Sequence, residues 1–154
     1  MADTQIKTVA TNRRARHDYH IEDRIEAGLE LKGTEVKSLR AGNVSLREAF
    51  AKIEEDGQVW VHGMHIAPYE AAHGANVDPV RPRRLLLHRR EIRRLKSRTE
   101  RRGYTLVPLR LYFRRGYAKL ELGMGRGKSR HDKREALRER DAQRDLERTL
   151  SERD

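Results

Sequence analysis

An apolar alternation of period two is the feature that most constrains how this chain can fold. Tyr19 and Ile21 and, after a break, Ile25, Ala27, Leu29 and Leu31 are separated by polar residues. That is the pattern of strands with one face buried and the other in water. TLVPLRLYFRRGYAKLELGMG repeats it as a hairpin turning near Arg115-Gly116, with Leu109, Leu111 and Phe113 expected on one side. VSLREAFAKIEEDGQVWVHGMHIAPY reads as a second hairpin. Val44, Leu46 and Ala49 lie on one arm, Asp56-Gly57 forms the turn, and Val59 to Ile66 form the other arm.

Two stretches change period. TEVKSLRAG, with Val36, Leu39 and Arg40 at helical spacing and Gly42 as terminator, predicts one short helix. LLLHRREIRRLKSRTERRG predicts another, with Leu86, Leu87, Ile92 and Leu95 as its inner stripe and Gly103 past its end. Residues 70–84 carry Gly74, Pro79 and Pro82 and read as a loop, and residues 1–11 read as a flexible leader. Five or six short strands with two or three helices predict a mainly β fold. The expected architecture is a small antiparallel barrel of the oligonucleotide-binding type over residues 12–125, followed by a C-terminal tail at 126–154.

Composition limits what such a barrel does. Of 154 residues, 36% are hydrophobic and 38% charged, so a single lean core is expected. There is no Cys, which excludes disulfides and thiolate metal sites and suits a reducing cytoplasm. The chain has no apolar run of the roughly 20 residues a bilayer span needs, and its first residues lack a signal-peptide apolar region. The net charge of +11 favours a polyanionic partner, nucleic acid ahead of an anionic membrane. The excess concentrates between Arg81 and Arg102, where eleven cations face two anions.

Enzymatic chemistry finds little support. His17-Asp18 and His131-Asp132 are sequence neighbours, which point different ways on a regular element and make no ready dyad. The seven His lack Cys partners or HExxH spacing, so no metal or other cofactor is expected. GMGRGK lacks the spacing of a phosphate-binding loop.

RNA binding is better supported. Asn12, Arg13, Arg14, Arg16 and His17 precede Tyr19 at the start of the first strand. Cations beside an aromatic suit looped or single-stranded RNA, whose phosphates pair with Arg and whose bases stack; the alternative is a Tyr19 packed in the barrel beneath solvated arginines. Glu35, in KGTEVKS, is either a first-turn carboxylate favoured by the helix dipole or an acceptor for base amino groups.

NRRARHDYHIE, GLELKGTEVKSLRAGNVSLREAFA, VWVHGMHIAPYE, DPVRPRRLLLHRREI, YTLVPLRLYF and GRGKSRHDKRE occur in this order. Together they resemble the bacterial SsrA-binding proteins (small protein B) from about Asn12 to Glu135. The resemblance implies an oligonucleotide-binding-like barrel without catalytic activity. Its partners would be the tRNA-like domain of transfer-messenger RNA and, during trans-translation, the stalled ribosome and its ribosomal RNA. A cytoplasmic protein, monomeric on its RNA, is expected. The resemblance places Asn12, Arg13, Arg16, His17, Tyr19, Glu35, Val36, Lys37 and Ser38 against RNA, with His20 standing where members commonly carry an aromatic. It makes Lys128, His131, Asp132, Lys133 and Arg134 ribosome-facing.

The tail has no apolar stripe with which to dock on its own barrel. On a helical wheel, however, Arg130, Lys133, Arg134, Arg138, Arg140, Arg144 and Arg148 share one side with Asp141 and Asp145 among them, while Asp132, Glu135 and Glu139 lie opposite and Arg153 falls outside the arc. The expectation is an arm that is disordered or helical and folds with its basic face on ribosomal RNA.

Overall fold

The computed structural model describes residues 6–72, 76–101, 103–127 and 138–146. Nine strands and three helices run in the order β1 (Ile6–Thr11), α1 (Arg13–Asp18), β2 (Tyr19–Leu29), α2 (Gly33–Arg40), β3 (Val44–Ser45), β4 (Phe50–Ile53), β5 (Val59–His62), β6 (His65–Ile66), β7 (Arg83–Leu86), α3 (Arg89–Thr99), β8 (Tyr104–Arg114) and β9 (Tyr117–Gly127). A further helix, α4, covers 138–146, and all of its residues are exposed. Every strand pairing is antiparallel, and the main sheet runs β1-β8-β4-β5-β7-β2-β9. Because β8 also pairs with β9, the six strands from β8 round to β9 close into a ring, and β1 is added outside it on β8. The barrel expected from the alternation is what forms.

The ring interior is the lean core anticipated from composition. Ala27, Leu39, Val59, Val61, Met64, Leu85, Leu111, Leu120 and Leu122 are each at most 1% exposed. Burying side chains of this kind contributes on the order of 2 kcal/mol each relative to leaving them in water.

The structure departs from the sequence expectations in four places. Ile6–Thr11, assigned to the flexible leader, is a strand paired with Arg110–Arg114 of β8. Its own side chains are mostly exposed, so main-chain pairing holds it rather than an apolar pattern legible in sequence. The hairpin turning at Asp56-Gly57 is shorter than expected. Phe50–Ile53 pairs with Val59–His62, whereas Val44–Ser45 pairs separately with His65–Ile66. Arg83–Leu86 lies in a strand, so α3 begins at Arg89 and Leu86 is 47% exposed while Leu85 joins the core.

The fourth departure positions the site. Leu109 does not share a side with Leu111 and Phe113. The β8–β9 register slips by one residue between Pro108 and Arg110, and the β2–β9 register slips between Ile21 and Asp23. A bulge reverses which face later residues present. Leu111 and Phe113 therefore join the core, as do Ile25, Ala27 and Leu29. Val107, Leu109, Tyr19 and Ile21 form a second apolar cluster with Ala15 of α1 on the outer face.

Candidate RNA-binding surface

α1 sits on that outer cluster, and its placement depends on Asn12. The Asn12 side-chain Oδ1 caps the helix by accepting the Ala15 N–H (3.3 Å), while Nδ2 donates to the Pro108 carbonyl (2.8 Å). The Asn12 main-chain N–H donates to the Leu109 carbonyl at 2.8 Å. One residue thus starts α1 and fastens it to the β8 bulge. Gly123 and Gly125 of β9 make room for the cluster. A Cβ at Gly123 would lie 2.8 Å from Leu109 Cδ1 and 2.9 Å from Ile21 Cγ2. The glycines of GMGRG thus admit neighbouring side chains on the barrel's outer face.

Arg13, Arg14 and Arg16 are exposed on the seated helix. His17 Nδ1 lies 2.9 Å from Asp18 Oδ1, which orients its ring. Tyr19 is half-buried against the outer cluster, and its N–H donates to the Ala15 carbonyl. His20, opposite Arg126 in the β2–β9 register, is also half-buried. Of the residues that the sequence placed here, Arg13, Arg16 and His17 present polar groups outward. Asn12 is 8% exposed with both side-chain polar atoms engaged, so it positions the others.

Of the other four residues, all on α2, Glu35, Val36 and Ser38 are turned into the fold. Glu35 is 3% exposed. It accepts the Lys32 N–H (2.8 Å), a first-turn contact, and ion-pairs with both Arg81 and Arg83. Arg83 is fully buried and also donates to the Met64 and Pro79 carbonyls. Burial pushes the Glu35 carboxyl up, but hydrogen bonds from Arg81, the Lys32 N–H and Arg83 outweigh it and hold the group below its ordinary value. Ser38 is 1% exposed and donates to the Ala67 carbonyl (2.7 Å). Val36 packs against the core. Only Lys37 is exposed, its ammonium 5.4 Å from the Tyr69 ring centroid.

The basic run also divides. Arg81 and Arg83 pair with Glu35, Arg84 with Glu30, and Arg94 and Arg98 with Asp23. The hydrogen bond from Arg94, against a smaller effect of burial, holds the Asp23 carboxyl below its ordinary value. Arg89, Arg90, Arg93, Lys96 and Arg101 are exposed with no ion pair among the described residues. Half of the described cations in the run are thus paired within the chain, and the other half carry the field that attracts a polyanion. The sequence did not single out Arg47 and Phe50, which line a cleft with Arg14 and Tyr19. Lys128, His131, Asp132, Lys133 and Arg134 lie outside the described residues.

Comparison with known proteins settles the relationship. The sequence model described as "SmpB protein" matches residues 9–152. The chain belongs to the SmpB family. The SsrA-binding protein of Anoxybacillus flavithermus is 55% identical over 147 residues, covering 96% of this chain and 95% of that one. That of Carboxydothermus hydrogenoformans is 55% identical over 144 residues, covering 94% and 96%. A solved structure described as "tmRNA-SmpB: a journey to the center of the bacterial ribosome" is 56% identical with a TM-score of 0.66, and covers 84% of this chain and 94% of that one.

Proposed function

We propose that this SmpB-family chain binds the tRNA-like domain of transfer-messenger RNA and delivers it to stalled ribosomes for trans-translation. The observation that carries the reading is its 56% identity, across 94% of the other chain, to the SmpB of the tmRNA–ribosome structure. The barrel supplies a rigid support, and α1 offers the cations Arg13 and Arg16 with the His17 ring beside them to looped RNA. The role is binding, without catalysis. No described helix is long and apolar enough to cross a membrane, and the work is assigned to the cytoplasm, with the chain monomeric on its RNA. The tail acts in the ribosome, with Lys128, His131, Asp132, Lys133 and Arg134 against ribosomal RNA. Because Arg126 and Gly127 belong to β9, it begins after Gly127 rather than at 126.

A gel-shift comparison tests this. Transfer-messenger RNA should be retained at protein concentrations that leave ordinary tRNA and a loop-swapped tRNA-like domain unbound. Equal affinity for all three would overturn the reading.

A further inference from the structure

We infer that the cleft beneath α1 takes one unpaired RNA base on the ring of Phe50, with Arg14 and Arg47 on the adjoining phosphates. The inference rests on the RNA-binding reading and adds to it a base-stacking subsite. Phe50 is 51% exposed, although its neighbour Ala51 is 4% exposed and faces the core. A single exposed ring needs no occupant by itself; its fixed orientation and the cleft beside it carry the inference.

The ring is also fixed in place. His62, its cross-strand partner, stacks against it with centroids 5.1 Å apart and planes 14° from parallel. His62 Nε2 in turn lies 2.6 Å from Glu54 Oε1. One face of Phe50 is therefore covered by a tethered imidazole, and the ring is half open to solvent.

Phe50 borders a cleft of about 200 Å³ that is also lined by Arg14, Tyr19 and Arg47. Such a space suits a single flat ring system rather than a duplex. The combination of an aromatic shelf with flanking arginines is how single-stranded RNA is held without sequence readout. Two carboxylates, Asp18 and Glu48, line it as well, and a carboxylate accepts hydrogen bonds from base amino groups. Glu48 already meets Arg14 at 3.6 Å, but the two side chains are 75% and 61% exposed. An ion pair so open to water holds weakly, so a phosphate can displace it.

The base belongs either to the transfer-messenger RNA or to ribosomal RNA. Binding of full-length protein to the isolated tRNA-like domain and to isolated small ribosomal subunits distinguishes these sources. Phe50→Leu keeps an apolar side chain but removes the ring, and it should weaken one of the two complexes by about 5- to 100-fold. The slope of log affinity against log salt should not change. Phe50→Trp should retain most of the affinity. Arg14→Ala with Arg47→Ala should lower the salt slope of the same complex by about 2. Phe50→Leu binding both partners like the unsubstituted protein, while Arg16→Ala still weakens binding, would overturn the base site alone. Failure of the unsubstituted protein to bind either RNA would overturn the RNA-binding reading and the base site with it.

Discussion

Glu35 and Arg83 form an ion pair across 2.7 Å in which the carboxylate side chain is 3% exposed and the guanidinium side chain 0%. Such a pair is costly to break from one side, because the surviving charge stays buried without its partner. Glu35→Gln should therefore destabilise the protein by about 3–5 kcal/mol, seen as a lower Tm. Its RNA affinity should be unchanged at temperatures where the variant is folded. A selective loss of RNA affinity without a change in Tm would instead place Glu35 on the RNA.

The same pair sets a pH dependence. The Glu35 carboxyl is held below its ordinary 4.5, so its ionised form favours the folded chain. Its contribution is present above that ordinary value and is lost as pH falls through the lowered folded value. Denaturant midpoints measured from pH 6 down to pH 3 should fall for the unsubstituted protein, and fall less steeply for Glu35→Gln. Parallel curves would show that Glu35 does not carry the effect.

Asn12 bears on function by fastening α1 to the β8 bulge. Asn12→Ala removes a helix cap, at about 1 kcal/mol, and leaves the Pro108 carbonyl unpaired at the bulge. RNA affinity should fall because α1 is no longer fastened to β8, and α1 amides should exchange faster with solvent. Arg13→Ala and Arg16→Ala should weaken RNA binding differently, each lowering the salt slope by about 1 if it meets a phosphate. Filter binding at several salt concentrations separates the two mechanisms: Asn12→Ala should leave the slope unaltered.

The barrel was legible because alternation marks half-buried strands, and the β8–β9 turn was legible because Arg115-Gly116 takes positive φ at both residues, 53° and 80°. The side assigned to Leu109 was not legible, since a one-residue bulge leaves no trace in a period-two count. β1 escaped notice because an edge strand held by main-chain bonds needs no apolar face. The site was partly legible. Charge and spacing drew attention to Arg13, Arg16 and His17, but they could not separate an exposed cation from one paired across the fold. Glu35 and Arg83 are 48 residues apart, and composition assigns both to the surface. Phe50 was hidden by the reverse effect: an aromatic in an alternating strand is ordinarily read as core.

The outer cluster offers a test of packing. Gly123→Ala would place a methyl within 3 Å of Leu109 and Ile21 side-chain carbons, an overpacking that costs about 1–3 kcal/mol. Gly127→Ala, four residues on in the same strand, meets nothing within 4 Å and should leave Tm unchanged. Thermal melts of the two variants, with RNA binding measured alongside, should show Gly123→Ala losing both stability and affinity through α1. Equal Tm values would mean that the cluster yields without strain.

Truncation tests the division of labour between barrel and tail. β9 runs to Gly127, whose partner in the register is Tyr19, so a chain ending at Gly127 keeps every β2–β9 pair. Since α4 is exposed throughout, the core gains nothing from its side chains, and the truncated protein should melt with the full chain. It should also bind the tRNA-like domain with nearly full affinity, because α1 is intact. Tagging of stalled nascent chains should be abolished, as the charged arm assigned to ribosomal RNA is gone. Replacing only Lys133 and Arg134 by Ala should reduce tagging in the same direction, again without loss of RNA affinity. A large drop in affinity for the tRNA-like domain on truncation would move part of the binding surface into the tail and contradict the arrangement.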